Sequence, residues 1–571
     1  MRTTRKGGSY VLESSPFFKI LSTPAIAILL LLLVVPLIII LSKAFIGSEG
    51  SLTLSRVITL LKSEYTWRVV RFTFLQAFIS TVVSVLIALP GAYIIANYRF
   101  KGKRLIKAIS VIPFVLPSIL VVLGFVIFYG NSGLINQLLM KLFNLEEGPI
   151  KILYTFGAVI LAHAFYNFPI ALGLISSFWE QLPISYNHAA MTLGAKKGSV
   201  FRTVTLPRLI PPILSAATLI FLFCFSSFVI LLVLGGGPKF TTMEVEIYRR
   251  ARMSLDLEGA ATFSLISIFL TLIIVAIYIW TQRLVAHQEE IELLNEKNLE
   301  KSLKTVWGKI GVALYTLFAT LFVLGPLGAI IYNSFTYTPS RSGKTVFTLR
   351  WYKQLFNIES TSSSMMSVAL SAIILSLIIA AITTIVSLIF TTMLSAKLRN
   401  DKIKGSLATE LFAMLPMAVS SVIIGLGYYL IASSLQLGNI GARILVILAH
   451  VVIVSPFILR SILPEYRKVS FTYSQASFTL GANVARTFWL VELPLLRSAL
   501  ITGGAFAFAI SLGEINATLV LADSSLVTIP IVMYRLIGSY NFAGAAALGS
   551  VLIVLCAIIF FLTELAKKRS N

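Results

Sequence analysis

The stretch His188-Ala189-Ala190-Met191-Thr192-Leu193-Gly194 lies between two long apolar segments, and Leu206-Pro207 follows it near the start of the second segment. A twin stretch, Gln475-Ala476-Ser477-Phe478-Thr479-Leu480-Gly481, is followed at the same distance by Leu493-Pro494. The glycine and the proline both recur 287 positions later, which is about half of the 571-residue chain. The protein is therefore predicted to consist of two related halves fused in one polypeptide.

The composition indicates a polytopic membrane protein. Hydrophobic residues make up 57% of the chain and charged residues only 12%, whereas a soluble domain carries about 25% charged residues. The formal charge of +24 is typical of lysine and arginine in cytoplasmic loops beside anionic lipid. A nucleic-acid partner is not expected, because no basic stretch alternates with stacking aromatic residues. The two cysteines cannot form a metal site alone.

The lengths of the apolar segments predict an all-α fold. A membrane-spanning helix needs about 20 apolar residues, and no segment alternates as a membrane barrel would. Twelve suitable segments are present, near 24–46, 70–96, 107–129, 152–178, 209–235, 259–282, 309–333, 366–396, 406–432, 442–463, 497–521 and 541–566. We accordingly predict a first transmembrane half at 1–282, a polar cytoplasmic linker at 283–308 and a second transmembrane half at 309–571.

The charge of the loops predicts the orientation, since lysine and arginine concentrate on the cytoplasmic side. The loop after the second segment carries five cations and no acid: Arg99, Lys101, Lys103, Arg104 and Lys107. Both termini and both twin stretches are therefore expected on the cytoplasmic side. Three arginines after the fifth segment fall on the expected outer side, where nearby acids are expected to pair with them. The arginines are Arg249, Arg250 and Arg252, and the acids are Glu244, Glu246, Asp256 and Glu258.

The repeat extends into the apolar segments. Leu161-Ala162-His163 and the following Pro169 recur as Leu448-Ala449-His450 and Pro456, again 287 positions later. Six segments separate each feature from its copy, so the two copies have the same orientation. A parallel repeat of this kind, about an axis along the membrane normal, places a pathway between the halves.

Each twin stretch is predicted to form a short helix across the mouth of its half. Ser185 is a candidate N-cap of the first helix, and Thr472 with Gln475 fits a capping box in the second. Gly194 and Gly481 suit a left-handed end of the helix. Pro then opens the next segment, because proline is tolerated in a first turn. A short helix with small side chains can dock in a groove on a soluble partner and transmit rigid-body motion to the spans.

The twin stretches resemble the EAA loop of permease subunits of binding-protein-dependent ABC importers, in which Glu-Ala-Ala is followed by Gly and by Ile-x-Leu-Pro. The spacing matches in both copies. His188 and Gln475 replace the Glu, which bears on charge contacts with a partner, and Val204 and Val491 replace the Ile. The runs Leu234-Gly235-Gly236-Gly237-Pro238 and Ser511-Leu512-Gly513-Glu514 resemble the fused two-half permeases for ferric iron and thiamine. The run from Tyr534 to Tyr540 is closer to the thiamine type.

The resemblance implies a type I importer in the bacterial inner membrane. An extracytoplasmic solute-binding protein would deliver the solute, and two cytosolic ABC ATPase subunits would grip the twin loops. ATP and Mg²⁺ would bind to those subunits, so this chain would be a transport subunit without a cofactor, not an enzyme. No Walker A phosphate loop is present in the chain. The residues expected to couple to the ATPases are His188, Ala189, Ala190, Gly194, Leu206, Pro207, Gln475, Ala476, Ser477, Gly481, Leu493 and Pro494.

Glu514 is the clearest acidic residue within a predicted span, and Asn516 lies close to it. A carboxylate at that depth is costly and usually faces a cavity. Two interpretations have equal weight: the pair lies on the translocation pathway of a cationic solute, or Glu514 makes a structural hydrogen bond between helices. His163 and His450 are expected to be packing residues, and four histidines in all do not indicate a metal site.

Two other classes of protein are weighed against an ABC permease. An ion-coupled secondary transporter would need titratable groups at mid-membrane, for which Glu514 alone is thin support. A channel would need a ring of pore-lining residues, and the two halves show none.

Overall fold

The computed structural model describes residues 16–46, 54–292, 301–303, 305–337, 345–356, 368–400, 413–522 and 526–568. Most of them are helical, because a backbone in hydrocarbon must satisfy its polar groups within its own segment. Two small strand pairs are also described: Tyr98–Arg99 with Lys301–Ser302, parallel, and Thr336–Tyr337 with Val346–Phe347, antiparallel. The prediction of an all-α membrane fold is confirmed.

The first half contains thirteen described α-helices. They are α1 (Pro16–Phe45), α2 (Ser55–Lys62), α3 (Glu64–Asn97), α4 (Lys103–Val115), α5 (Ser118–Tyr129), α6 (Leu134–Phe143), α7 (Phe156–Gln181), α8 (Ile184–Thr192), α9 (Lys197–Val200), α10 (Leu206–Phe225), α11 (Val229–Leu234), α12 (Met243–Tyr248) and α13 (Leu257–Glu292). Two one-turn π-helices, Phe201–Thr205 and Arg249–Met253, and a 3₁₀ turn, Pro238–Phe240, lie between them.

The described helices of the second half follow the same plan. They are α14 (Val306–Ser334), α15 (Arg350–Leu355), α16 (Ala369–Asn400), α17 (Ser421–Ser434), α18 (Asn439–Lys468), α19 (Phe471–Thr479), α20 (Val484–Thr487), α21 (Leu493–Leu495), α22 (Arg497–Gly513), α23 (Asn516–Leu521), α24 (Ile529–Gly538) and α25 (Phe542–Lys568). A 3₁₀ turn, Leu415–Met417, precedes α17, and a π-helix, Phe488–Glu492, precedes α21.

Within the described residues, ten helices are long and apolar enough to cross a membrane, against the twelve predicted. An eleventh span results if Val484–Leu495 and Arg497–Gly513, which are bent by 70° at their junction, are taken together. The remaining difference lies at the ninth predicted segment, 406–432, where the apolar helix α17 is shorter than a bilayer is thick. Residues 401–412 lie outside the described part of the chain.

The linker predicted at 283–308 begins within α13 and ends within α14. Residues 293–300 and 304 of it lie outside the described residues. The division into two halves and a linker therefore stays a prediction.

Each half packs its first helix against the other half. Helix α1 lies against α16 and α17, and α14 lies against α4 and α5. Glycine permits the closest approach in both places: a Cβ atom on Gly427 of α17 would lie 2.5 Å from the Cβ of Pro36, and one on Gly124 of α5 would lie 3.0 Å from the Cβ of Pro326. The two exchanged contacts correspond, so each half covers the first helix of the other.

Candidate functional site

Each twin stretch forms the predicted short helix with a left-handed glycine at its end. Gly194 has a φ of +86° and Gly481 a φ of +85°. The N–H of Gly194 donates to the Met191 carbonyl (3.0 Å) and that of Ala195 to the Ala190 carbonyl (3.1 Å), and the second copy repeats both bonds. This is the Schellman arrangement, so the predicted helix ends are confirmed.

The tip of each loop presents one large apolar side chain that the sequence interpretation did not single out. Leu193 is 89% exposed and Leu480 is 88% exposed, and each precedes the left-handed glycine. Both copies have a leucine directly before the glycine. This repeated position was the sequence signal that could have identified Leu193 and Leu480.

The predicted coupling residues differ in their accessibility. Those that are exposed are His188, Ala189, Gly194, Leu206, Pro207, Gln475, Ala476, Gly481 and Pro494. Ala190 and Leu493 are half-buried. Ser477 is buried, and its hydroxyl is 3.0 Å from the hydroxyl of Thr487. Ser477 therefore holds the loop together from inside and does not face a partner.

The predicted N-caps of both loop helices are wrong. Helix α8 begins after Pro183, which offers no side-chain cap, and α19 begins after Ser470, whose hydroxyl accepts from the N–H of Thr472 (3.2 Å). Both helices start earlier in the chain than Ser185 and Thr472 implied. A capping side chain has to precede the first helical residue, and at Ser470 it does.

Pro207 and Pro494 lie in the first turns of α10 and α21, as predicted. The backbone before each proline is already helical but widens into a π turn, in which Leu206 donates to the Phe201 carbonyl and Leu493 to the Phe488 carbonyl. Proline lacks an N–H and its ring clashes with the carbonyl four residues earlier. A π turn relieves that conflict without ending the helix.

A cavity of about 250 Å³ lies between the two halves. The fifth segment of the first half breaks between α10 and α11, and the eleventh segment breaks between α22 and α23; both breaks line the cavity. The polar side chains in its wall include His163, Asn167, Ser227, Ser420, Glu514 and Asn516. Irregular backbone at membrane depth is tolerated where it lines such a cavity, so the breaks place polar groups in an otherwise apolar interior.

Glu514 and Asn516, predicted as a pair, line this cavity together. Oε1 of Glu514 accepts a hydrogen bond from the N–H of Ala517 (2.8 Å), which caps α23. Oδ1 of Asn516 is buried and has no hydrogen-bond partner. Oδ1 of Asn167, in the first half, is in the same state. Sequence reasoning missed Asn167, although it lies four residues after His163 and hence on the same helix face.

His163 and His450 each bridge two hydroxyl groups, and their prediction as satisfied packing residues is confirmed. The ring nitrogens of His163 lie 3.0 Å from Ser80 and 2.8 Å from Ser227. Those of His450 lie 2.8 Å from Ser511 and 2.9 Å from Thr518. Each histidine thus fixes the broken helix of its own half. No group of three metal-binding side chains is found among the described residues.

Glu244 is a buried acid that connects the two halves. Its carboxylate accepts hydrogen bonds from Ser267 (3.0 Å) in the first half and from Ser420 in the second. Ser420 also lines the cavity. Glu244 was expected to neutralise the nearby arginines, but its two oxygens are occupied by these hydroxyls. Glu244 therefore holds a residue of the cavity wall, Ser420, without lining the cavity itself.

The arginine cluster that follows α12 is neutralised in part. Glu246 pairs with Arg249 (2.8 Å) and Arg250 (2.7 Å), and Arg250 also pairs with Asp256 (2.8 Å). Burial raises the pKa of Glu246, but hydrogen bonds from the two arginines and from Tyr65 outweigh it and leave the pKa lowered.

The third arginine of the cluster departs from the prediction. Arg252 donates to the carbonyl of Ala522 in the second half and lies 4.9 Å above the ring of Tyr429. Glu258, another of the expected partners, pairs with Arg56 at 2.7 Å. Arg252 is thus a contact between the halves.

Gly513→Ala is expected to destabilise the contact between the halves beside the cavity. A Cβ atom there would lie 2.5 Å from Cγ of Pro117, in the other half, and a proline ring cannot move aside. Overpacking of this kind costs about 1–3 kcal/mol, which thermal unfolding in detergent would show as a lower Tm. Gly503→Ala in the same helix is the matched control, because its nearest contact would be an ordinary 3.4 Å. Equal Tm values for the two variants would contradict the expectation.

Comparison with known proteins agrees with this architecture. Residues 84–289 match the model of the family described as binding-protein-dependent transport system inner membrane component. The chain is 28% identical over 508 residues to the thiamine transport system permease protein ThiP of Brucella abortus, covering 88% of each chain. It is 28% identical over 510 residues to ThiP of Escherichia coli, covering 88% of this chain and 89% of that protein.

A further relative is named for another solute. The ferric transport system permease protein FbpB of Actinobacillus pleuropneumoniae is 26% identical over 517 residues, covering 89% of this chain and 72% of that protein. Two loops that end in Schellman glycines and a cavity lined by residues of both predicted halves agree with these similarities. The chain is a multi-pass membrane protein, and its similarities support a permease subunit of an ABC importer.

Proposed function

We propose that this permease carries a small cationic solute of the thiamine type into the bacterial cytoplasm. The cavity between the halves carries the proposal, because its wall presents the Glu514 carboxylate and the unpartnered amide oxygens of Asn167 and Asn516. A buried acceptor without a donor costs about 1–3 kcal/mol. A cation that also carries hydrogen-bond donors suits this wall: thiamine has a positive charge, an amino group and a hydroxyl group, and it is the solute in the names of relatives that match most of the chain.

Ferric iron is the second candidate solute. It is a cation that takes oxygen ligands, and a relative named for ferric transport supports it. Proteoliposomes containing the complete importer would separate the two candidates. We expect accumulation of radiolabelled thiamine, and we expect none of ferric iron at the same concentration. The reverse result would reject the thiamine proposal.

The twin loops are proposed to couple the permease to ATP hydrolysis. Helices α8 and α19 are short, end in the same geometry and expose Leu193 and Leu480. With His188 and Gln475 at the position of the missing acid, the leucines supply an apolar contact in place of a charged one. ATP and Mg²⁺ are proposed to bind to the partner subunits, and this chain contributes no catalytic residue.

The proposed orientation places the twin loops and both termini in the cytoplasm of a bacterium, with the permease in the inner membrane. Two lysines support this orientation, because lysine concentrates on the cytoplasmic side of membrane proteins. Lys103 and Lys107 pair with Glu180 at the end of α7, which leads directly to α8. The solute-binding protein is proposed to dock on the opposite face, where Arg249 and Arg250 lie.

One permease chain is expected to bind two ATPase subunits, because it carries two equivalent loops. Native mass spectrometry of the purified complex would measure this stoichiometry. A transport-competent complex with a single ATPase subunit would contradict the expectation. Uptake that proceeds in liposomes without ATP, driven by an ion gradient, would instead favour a secondary transporter.

A further inference from the structure

A buried ion pair lies beneath the second twin loop, which contains α19; the loops with α8 and α19 are called the first and second coupling loops below. Nη1 of Arg399, at the end of α16, is 2.9 Å from Oε1 of Glu492, in the π turn before α21. The side chains are 1% and 0% exposed. Burying two charges is costly unless further hydrogen bonds complete the pair. The contact here is ionic, since Nε and Nη1 of Arg399 make no hydrogen bond, so the other contacts of the two side chains decide the role of the pair.

Further contacts extend this ion pair into a network that joins four elements. The hydroxyls of Tyr466 in α18 and Ser474 in α19 donate to Glu492, the latter at 2.7 Å. Arg399 donates to the Val469 carbonyl at 2.8 Å. Its guanidinium also lies 4.5 Å from the ring centre of Phe471, at the start of α19. The ends of α16 and α18, the helix α19 and the turn that leads to α22 thus meet at one buried charge pair.

The first coupling loop is attached by different chemistry. Thr205 stands 287 positions before Glu492, and Asn187 the same distance before Ser474. The Thr205 hydroxyl donates to Oδ1 of Asn187 at 3.3 Å, a long neutral hydrogen bond. Arg208 lies over the ring of Tyr186 at 3.5 Å. No acidic residue occurs between Glu180 and Glu244, so this loop and its π turn contain no acid that could form an equivalent pair.

We propose that Arg399 and Glu492 are positioning residues that fix α19 to three membrane helices, and that the two coupling loops are therefore mechanically unequal. A displacement of α19 moves the ends of α16 and α18 and the turn that leads to α22 together, because all of them contact the buried pair. Glu492 accepts hydrogen bonds from Tyr466 and Ser474. Nη2 of Arg399 donates to the Val469 carbonyl. A displacement of α8 is taken up partly in its own attachment, which has the Arg208–Tyr186 contact and one long hydrogen bond but no buried ion pair. The inference rests on the proposed function, in which both loops receive ATPase subunits.

Hydrogen exchange on the isolated permease tests the attachment without any partner. In the wild-type protein the amides of α19 should exchange more slowly than those of α8. The double variant Arg399→Met with Glu492→Gln removes both charges at similar volume, so neither is left unpaired. Exchange in α19 should then become about tenfold faster, because local opening costs less free energy. Thr205→Val is the matched control in the first half and should alter exchange in α8 by less than about threefold.

The complete importer tests whether the attachment serves coupling. The double variant should still bind two ATPase subunits, yet the number of thiamine molecules transported per ATP should fall about tenfold, because motion of the subunits is no longer passed on in full. Arg399→Lys, which keeps the charge, should recover part of the loss. If the double variant does not reach the membrane, Tyr466→Phe, which removes one hydroxyl and leaves the pair, should still accelerate exchange in α19.

The outcomes separate the claims. Unchanged exchange in α19 in the double variant, or in Tyr466→Phe when only that variant is produced, would overturn the attachment. Faster exchange with an unchanged ratio of thiamine to ATP would overturn the role in coupling. If the wild-type permease bound no ATPase, the proposed function would fail while the exchange comparison kept its meaning.

Discussion

Uptake of thiamine by the complete importer is expected to fall to background when valine replaces both Gly194 and Gly481. The φ angles of +86° and +85° are left-handed, and an L-residue there costs about 1–2 kcal/mol, with a further cost for a β-branched side chain. No atom lies within 4 Å of a Cβ built at either glycine, so the strain belongs to the backbone alone. The helix ends would unwind, and Leu193 and Leu480 would leave their places.

Two controls make this expectation specific to the loops. Asparagine tolerates the left-handed conformation, so Gly194→Asn with Gly481→Asn should retain most of the uptake and all of the bound ATPase. Gly102→Val introduces similar strain in a loop outside the twins, since Gly102 has a φ of +108° and open space around it, and uptake should persist. Loss of uptake in Gly102→Val to the same extent would show that general misfolding, not docking, explains the first result.

Glu514→Gln is expected to lower the initial rate of thiamine uptake by about tenfold or more, since a hydrogen bond to a charged group contributes about 1.5–3 kcal/mol. Glutamine keeps the oxygen that accepts from Ala517, so the cap of α23 should survive. Expression and binding of the ATPase should also be unchanged. The measurement is uptake at a thiamine concentration below saturation, where the affinity of the cavity limits the rate.

Comparison with Glu514→Ala separates the two roles of this carboxylate. Alanine removes both the charge and the cap, so it should impair uptake and also lower the Tm. If glutamine supports uptake near the wild-type level while alanine does not, Glu514 is a structural cap and the charge is irrelevant to the solute. That result would leave Asn167 and Asn516 as the polar groups of the cavity.

Local chemistry explains which features were predictable from the sequence. A left-handed helix end accepts glycine far more readily than other residues, so the spacing of Gly194 and Gly481 was enough to indicate two loop ends. Span lengths follow from the thickness of the bilayer in the same direct way. The break at Glu514 is more subtle, but an isolated carboxylate in an apolar run already indicated a cavity.

Contacts between distant positions explain what was missed. Glu244 meets Ser420, which is 176 residues away in the chain, and no local pattern marks either residue as the other's partner. Glu492 lies just outside a predicted span, so its burial against Arg399 was not expected. The ninth segment looked long enough in composition, yet the described helix is limited to Ser421–Ser434. Pairing and depth are properties of the folded chain as a whole.

The exchange of first helices between the halves constrains how the protein is made. Helix α5 is covered by α14, which begins at Val306, so the ribosome has to synthesise the start of the second half before the first can finish packing. A nascent chain that stops at the linker would leave the Gly124 face of α5 open to lipid. Helix α1 likewise lacks its contact with α17 until the second half has been synthesised and inserted. Fusion of the halves in one polypeptide brings each late helix to its early partner without a search, which two separately translated halves would have to make by diffusion in the membrane.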